Sequence, residues 1–280
     1  MVSKRPFGAT GVDVAILGQG SWNMPESGAS HAESKRALLR GIELGMTHID
    51  TAEMYGAGEV ESMLGAFLAG VPRESLFVTS KVLPSNASYA GTIAACERTL
   101  ARMRLSHLDL YLLHWAGEHP LEETMRALET LATQGKTRFI GVSNFDIDEL
   151  REAQSYTAAH KIASNQVLYN LTERGIEHRL LPYCAEQGIA VVGYTPFARG
   201  KTRRADGVLT RIAEKHDATR HQVMLAFLTR TPALFAIPKA ASIAHVEDNA
   251  LAAELRLDGE DLAAIDAAFP VGDDGPLASL

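Results

Sequence analysis

Cysteine is scarce: the 280 residues contain two, Cys96 and Cys184, far apart and in no metal-ligand spacing. They read as buried thiols in a reducing compartment. No window approaches 18 uninterrupted apolar residues, so no membrane-spanning helix is expected. Met1-Val2-Ser3-Lys4-Arg5-Pro6-Phe7 is not followed by the apolar region of a secretory signal, and the expected location is the cytoplasm. Positive charge is in deficit, with 27 Lys and Arg against 34 Asp and Glu, a net charge of −7. That argues against a nucleic-acid backbone as main partner but leaves room for a phosphorylated small molecule, which needs only a local cluster of donors. The histidines show no His-Glu-x-x-His pairing, so no zinc is expected. No Pro/Gly/Ser-rich linker or low-complexity segment divides the chain. One domain over residues 1–280 is the economical expectation, and nothing in the sequence demands more than a monomer.

What is present is ordinary globular material: 46% hydrophobic and 22% charged residues, in a length comfortable for an α/β barrel of about 250 residues. Strand candidates are Val14–Gly20, Met46–Thr51, Leu76–Lys81, Leu108–Leu113, Arg138–Val142, Ile162–Val167, Ile189–Tyr194 and Ala233–Ile237. Several are apolar at consecutive positions, as parallel strands covered by helices require. Between them, Ser30-His31-Ala32-Glu33 has a capping-box pattern, and Val60, Met63, Leu64 and Phe67 share one helical face. Ile93, Cys96, Leu100 and Met103 share another, and Pro120 can open a helix with Leu121, Met125, Leu128 and Leu131 inward. Two helical segments, near 208–215 and 220–228, separate the last two strands. Eight strand–helix alternations favour a closed (β/α)8 TIM barrel over a doubly wound open sheet. Phe7–Val12 is expected to form a small N-terminal β-hairpin over the barrel floor.

Polar residues interrupt these strands at one end only. Asp50 ends the second strand, Lys81 the third, and His114 follows the fourth; Ser143 and Asn144 follow the fifth. Gln166 lies near the end of the sixth, Tyr194 closes the seventh, and Lys239 comes just after the eighth. In a barrel these all project toward the C-terminal mouth, where active sites of this fold are built. Singly, each has an ordinary structural role: Asp50 and Lys81 as an ion pair, His114 as a satisfied core histidine, Tyr55 as a loop aromatic. Their convergence from separate strands argues for a pre-formed polar site. Gly18-Gln19-Gly20 lacks the third glycine of a dinucleotide loop, and Gly141-Val142-Ser143-Asn144-Phe145 lacks the Gly-x-Ser-x-Gly elbow of a serine hydrolase.

Four segments carry a family resemblance: Gly45-Met46-Thr47-His48-Ile49-Asp50-Thr51-Ala52-Glu53-Met54-Tyr55-Gly56, Leu108-Asp109-Leu110-Tyr111-Leu112-Leu113-His114-Trp115, Gly141-Val142-Ser143-Asn144-Phe145 and Ile237-Pro238-Lys239. With spacing intact from about 14 to 249, the chain resembles the aldo-keto reductase family, and is most similar to short bacterial members of the methylglyoxal-reductase-like type. The resemblance implies NADPH-dependent reduction of small aldehydes, dicarbonyls or ketones, NADH serving less well. It implies a catalytic tetrad of Asp50, Tyr55, Lys81 and His114, with Tyr55 as general acid. It assigns the nicotinamide carboxamide to Ser143, Asn144 and Gln166, and the stacking aromatic to Tyr194. Gly20, Ser21 and Trp22 would lie near the nicotinamide, Thr195, Pro196 and Phe197 along the pyrophosphate, and Lys239, Ser242, His245 and Asn249 at the adenosine end.

A tyrosine, with an ordinary pKa of about 10, is a poor acid at neutral pH, and Lys81 is expected to lower that value while Asp50 holds the ammonium. The residues after Phe269 are too few for the long C-terminal loop of many relatives. Trp22, Met54, Leu83 and Trp115, beside His114, would then wall an open, aromatic-lined pocket suited to small reactive carbonyls. One departure from the family pattern bears on the cofactor: Lys239-Ala240 and His245 stand where NADPH-dependent relatives usually have Lys-Ser and an Arg. An imidazole offers a 2′-phosphate less than a permanently charged guanidinium, so the NADPH preference should be weaker than with arginine. Two rival functions remain, a Schiff-base aldolase acting through Lys81 and a cofactor-binding regulatory subunit with little turnover.

Overall fold

The chain opens with an antiparallel hairpin, β1 (Lys4–Pro6) and β2 (Asp13–Ala15), with Arg5 opposite Val14. Eight parallel strands follow in the computed structural model, which describes residues 1–24, 30–200 and 206–279. They are β3 (Gln19–Gly20), β4 (His48–Asp50), β5 (Phe77–Val82), β6 (Leu108–Leu113), β7 (Thr137–Ser143), β8 (Ile162–Leu168), β9 (Ala190–Tyr194) and β10 (Leu234–Ala236). Neighbours in sequence are neighbours in the sheet. The two edges meet where Leu17 bridges Ala236: Ala236 N donates to Ile16 O at 3.0 Å, and Gly18 N to Ala236 O at 2.8 Å. The sheet thus curls round on itself as a barrel.

The start of the chain departs from expectation. The run 14–20 is not one strand: Val14 and Ala15 belong to the hairpin, and only Gln19 and Gly20 to the barrel. Val14, Ala15, Ile16 and Leu17 are all buried and apolar, so composition does not mark the bend that follows the hairpin. At Gly18 a side chain would stand 2.6 Å from the His48 carbonyl oxygen, so the bend passes against the β4 backbone where only glycine fits. Phe7–Val12 is the loop of the hairpin rather than the hairpin itself. Phe7 is fully buried on the barrel floor, its ring 5.0 Å from Phe77 and 4.9 Å from Phe235.

Helices α1 (His31–Glu43), α2 (Glu59–Phe67), α3 (Tyr89–Met103), α4 (Leu121–Thr133), α5 (Ile147–Ser155), α6 (Leu180–Gln187), α7 (Asp206–Lys215), α8 (Arg220–Leu228), α9 (Ile243–Leu251) and α10 (Gly259–Ala268) complete the described residues. The Ser30–Glu33 capping box is formed at α1. Val60, Met63, Leu64 and Phe67 of α2 are buried, as are Cys96, Leu100 and Met103 of α3 and Met125, Leu128 and Leu131 of α4. Each Val, Leu, Met or Phe among them contributes about 1.5–3 kcal/mol by leaving water, which fixes the helices on the sheet. Among the described residues no helix is long and apolar enough to cross a membrane. Because all eight strands run one way, their C-terminal ends and the residues just beyond them share one mouth.

Candidate active site

The centre of that mouth is an ion pair sealed from water. Lys81 Nζ donates to Asp50 Oδ1 at 2.6 Å and to the Thr51 carbonyl oxygen at 2.8 Å. Gln166 Nε2, from β8, donates to Asp50 Oδ2 at 2.7 Å. Three separate strands therefore meet on one carboxylate. Lys81 is fully buried. Burial opposes its charge, but Asp50 and the nearby Tyr55 outweigh burial and hold its pKa above the ordinary lysine value.

Tyr55 sits in a 3-10 turn, Tyr55–Gly58, between β4 and α2. The turn has room for one shape only: Gly58 lies at φ +92°, and a side chain there would stand 2.3 Å from the Arg102 guanidinium carbon. Arg102 in turn donates to the buried Glu61 carboxylate at 3.0 Å. This places the half-buried Tyr55 ring 5.2 Å from Lys81 Nζ and 6.0 Å from the His114 ring. The expected lowering of the Tyr55 pKa does not hold. Burial raises it, and the pull of Lys81 toward phenolate offsets only part of that rise. The phenol keeps its proton throughout the neutral range. His114 is buried, and burial together with Lys81 pushes its pKa down to about 3, so its imidazole is neutral.

A second hydrogen-bonded group lies alongside. Ser143 Oγ donates to the Gln166 carbonyl oxygen at 2.8 Å. Asn144 Nδ2 donates to the His114 carbonyl oxygen and to Ser143 Oγ, both at 3.1 Å. Tyr194 Oη donates to Asn144 Oδ1 at 2.8 Å. Asn144 and Thr195, just past β7 and β9, both have left-handed backbone, φ 61° and 55°, a strain that concentrates at functional sites. Ser21 N donates to the Asp50 carbonyl oxygen at 3.0 Å, which brings the loop after β3 to the same mouth. Ser21 Oγ and His114 Nδ1 are buried without a hydrogen-bond partner, as suits atoms awaiting a ligand.

Beyond β10, Lys239 precedes α9, whose N-cap is Ser242: its oxygen accepts from His245 N at 3.3 Å, leaving its own O–H to donate elsewhere. His245 is exposed on the first turn of α9, Asn249 is buried one turn on, and Pro196 is buried with Thr195 and Phe197 half-buried beside it. Donors, an aromatic face and a helix N-terminus with an adjacent lysine are the groups a nicotinamide dinucleotide phosphate requires. At the rim, Trp22 (50% exposed), Met54 (39%) and Trp115 (38%) present apolar surface to solvent, with Leu83 half-buried.

Glu53, between Asp50 and Tyr55, is not among the site residues expected from the sequence. It is buried, and its Oε1 accepts from Leu83 N at 2.7 Å and Asn86 Nδ2 at 2.9 Å, tying the Tyr55 turn to the loop after β5. Only its place between Asp50 and Tyr55 could have hinted at this. The C-terminal tail lies elsewhere on the barrel, held by His178 Nε2 on the Gly272 carbonyl oxygen at 2.6 Å and by Arg179 on Asp274 at 2.9 Å. A cavity of about 360 Å³ between this tail, α5 and the loop before α6 contains none of Asp50, Tyr55, Lys81 and His114.

The sequence model of the Aldo/keto reductase family matches residues 16–269. The chain is 44% identical over 263 residues to methylglyoxal reductase YeaE of Escherichia coli, covering 92% of each protein. It is 37% identical to glyoxal reductase of Bacillus subtilis, covering 92% of this chain and 90% of that one. Its fold superposes on the crystal structure of an aldo-keto reductase from Klebsiella pneumoniae in complex with NADPH with a TM-score of 0.92, at 40% identity and full coverage of both chains.

Proposed function

The chain belongs to the aldo/keto reductase family and is an NAD(P)H-dependent oxidoreductase, and we propose that it reduces small aldehydes, ketones and dicarbonyls such as methylglyoxal with NADPH. One observation carries the residue assignment: a protonated Tyr55 stands beside a buried Lys81–Asp50 pair and a neutral His114 at the barrel mouth.

NADPH, when bound, supplies the hydride. Tyr55 supplies the proton as negative charge grows on the carbonyl oxygen. The phenolate left behind faces the Lys81 ammonium, which Asp50 and the Thr51 carbonyl hold in place without reorganisation. The neutral imidazole of His114 can donate one N–H to the same oxygen and fix the carbonyl in line with Tyr55. Gln166 joins the two halves of the site, since it binds Asp50 through its side chain and Ser143 through its backbone. Ser143, Asn144 and Gln166 would hold the carboxamide, Tyr194 the nicotinamide face, and Lys239, Ser242, His245 and Asn249 the adenosine end. We place the enzyme in the cytoplasm as a single-domain monomer, in keeping with its two buried free thiols. A Schiff-base role for Lys81 is disfavoured, because its raised pKa keeps the amine protonated.

Steady-state reduction of methylglyoxal and aromatic aldehydes, with NADPH and NADH side by side, tests this reading. NADPH should give the higher kcat/KM; no NADPH-dependent turnover by folded protein on any small carbonyl overturns it. His245→Arg should tighten NADPH severalfold while leaving NADH nearly unchanged, because the added guanidinium meets only the 2′-phosphate. Equal tightening of both cofactors would place residue 245 away from that phosphate.

A further inference from the structure

The residues on either side of Tyr55 are held from outside the barrel by α3. Before it, Glu53 accepts from Arg98 Nη2 at 3.4 Å; after it, Glu61 accepts from Arg102 Nη1 at 3.0 Å. The two arginines stand one helical turn apart on α3, and each meets a buried carboxylate. Glu61 is the more completely enclosed, its side chain 0% exposed, and its contacts reach further. Ser80 Oγ donates to Glu61 Oε1 at 2.7 Å, and Thr99 Oγ1 donates to the same oxygen at 2.9 Å. Ser80 is the residue before Lys81 on β5. One carboxylate therefore joins α2, which follows the Tyr55 turn directly, to the strand that carries Lys81 and to α3.

The turn itself is strained. Gly56, Ala57 and Gly58 are all left-handed, at φ 58°, 52° and 92°, a conformation that a residue such as Ala57 seldom adopts. The Arg102 guanidinium fills the space beside Gly58, and Ser62 Oγ donates to the Gly58 carbonyl oxygen at 3.2 Å. Holding α2 in place calls for no charge, since Val60, Met63, Leu64 and Phe67 already bury its apolar face. A buried carboxylate costs desolvation that apolar packing avoids. What it adds is direction. Three donors at hydrogen-bond range fix one position of α2 relative to β5, whereas apolar surfaces alone tolerate sliding.

We propose that Glu61 and Arg102 are positioning residues for the reductase reaction, setting the place of the Tyr55 phenol relative to the Lys81 ammonium without touching the reacting atoms. The proposal rests on the Tyr55 reading of the site. With this tie cut, the strained turn relaxes and the phenol moves off the path between the ammonium and the carbonyl oxygen. A misplacement of about 1 Å at such a contact costs on the order of 10²-fold in rate, so even a partial shift is measurable.

The test measures the single-turnover rate of methylglyoxal reduction, per NADPH-binding site, in wild type, Glu61→Gln, Tyr55→Phe and the double variant. Glu61→Gln should slow the chemical step about tenfold, with KM for methylglyoxal and Kd for NADPH within about twofold. In the Tyr55→Phe background the same change should slow it less than about twofold, because no phenol remains to be placed. Arg102→Ala should match Glu61→Gln, and Arg102→Lys should regain at least about a third of the wild-type rate. Ser80→Ala, which keeps both charges, should slow the step about threefold and takes the place of Glu61→Gln in both backgrounds if that variant does not fold. A chemical step at the wild-type rate in the folded variant overturns the proposal, as does a lysine variant no better than alanine. So does the same loss repeated in full in the Tyr55→Phe background, which would assign the pair to the fold alone. A Tyr55→Phe protein as fast as wild type would instead remove the reading on which the proposal stands.

Discussion

Asp109 and Asp50 are both buried in barrel strands, at opposite ends, and they are neutralised in different ways. Asp109, near the start of β6, accepts from Arg73 at 2.7 Å, Arg138 at 2.8 Å and Val78 N at 2.8 Å. Its arginines reach water, with side chains 20% and 45% exposed. Asp50, at the end of β4, faces Lys81, whose side chain is 0% exposed. A pair whose cation touches solvent can separate and rehydrate, so it holds the structure and little else. A pair sealed on both sides fixes the charge of each partner, and here that fixed ammonium lies beside the Tyr55 ring at the mouth.

The largest effect should come from exchanging the two carboxylates for amides. Asp50→Asn strips Lys81 of its counter-charge, and a buried amine without one sheds its proton rather than remain charged. Carbonyl reduction should fall roughly 10²–10⁴-fold in a protein that still folds. Asp109→Asn should instead cost about 1–3 kcal/mol of stability, read by denaturant unfolding, with turnover per folded molecule within about twofold of wild type. If Asp109→Asn abolishes turnover in folded protein, or Asp50→Asn spares it, the contrast between the two ends is wrong.

A middle-sized effect is expected from Glu53→Gln, which keeps the shape but weakens the tie between the Tyr55 turn and the Leu83 loop. The expected loss is about tenfold in kcat with the NADPH Kd unchanged, as befits a positioning residue. A loss confined to KM would point to the pocket wall instead. The smallest effect is a flat line. With the His114 pKa near 3 and that of Tyr55 raised, neither group changes charge between about pH 5 and pH 9, so kcat/KM for reduction should be level there and fall only as the phenol finally ionises. A limb between about pH 6 and pH 7 that disappears in His114→Gln would show that His114 titrates like an exposed histidine.

The barrel was legible because buried parallel strands must be apolar on both faces, so the polar residues that ended them stood out. Asp50, Lys81, Ser143 and Gln166 lie in those strands, with His114, Asn144 and Lys239 just past them. The hairpin boundary was not legible: Val14 and Leu17 are equally buried, one in the hairpin and one at the barrel seam. Nor was the tie made by Glu53, since no sequence pattern shows that the carboxylate reaches Leu83 and Asn86. The Tyr55 pKa went the other way for a related reason. Lys81 was visible as a neighbour, whereas the burial that outweighs it depends on how the turn before α2 packs.

The account stands or falls on Tyr55 as the proton donor, and the most direct measurement is single-turnover reduction of methylglyoxal by Tyr55→Phe, with NADPH affinity measured in parallel. Loss of the phenol should slow the chemical step roughly 10²–10⁴-fold while the Kd for NADPH changes by less than about twofold. A chemical step at near wild-type rate in the folded variant would contradict the assignment.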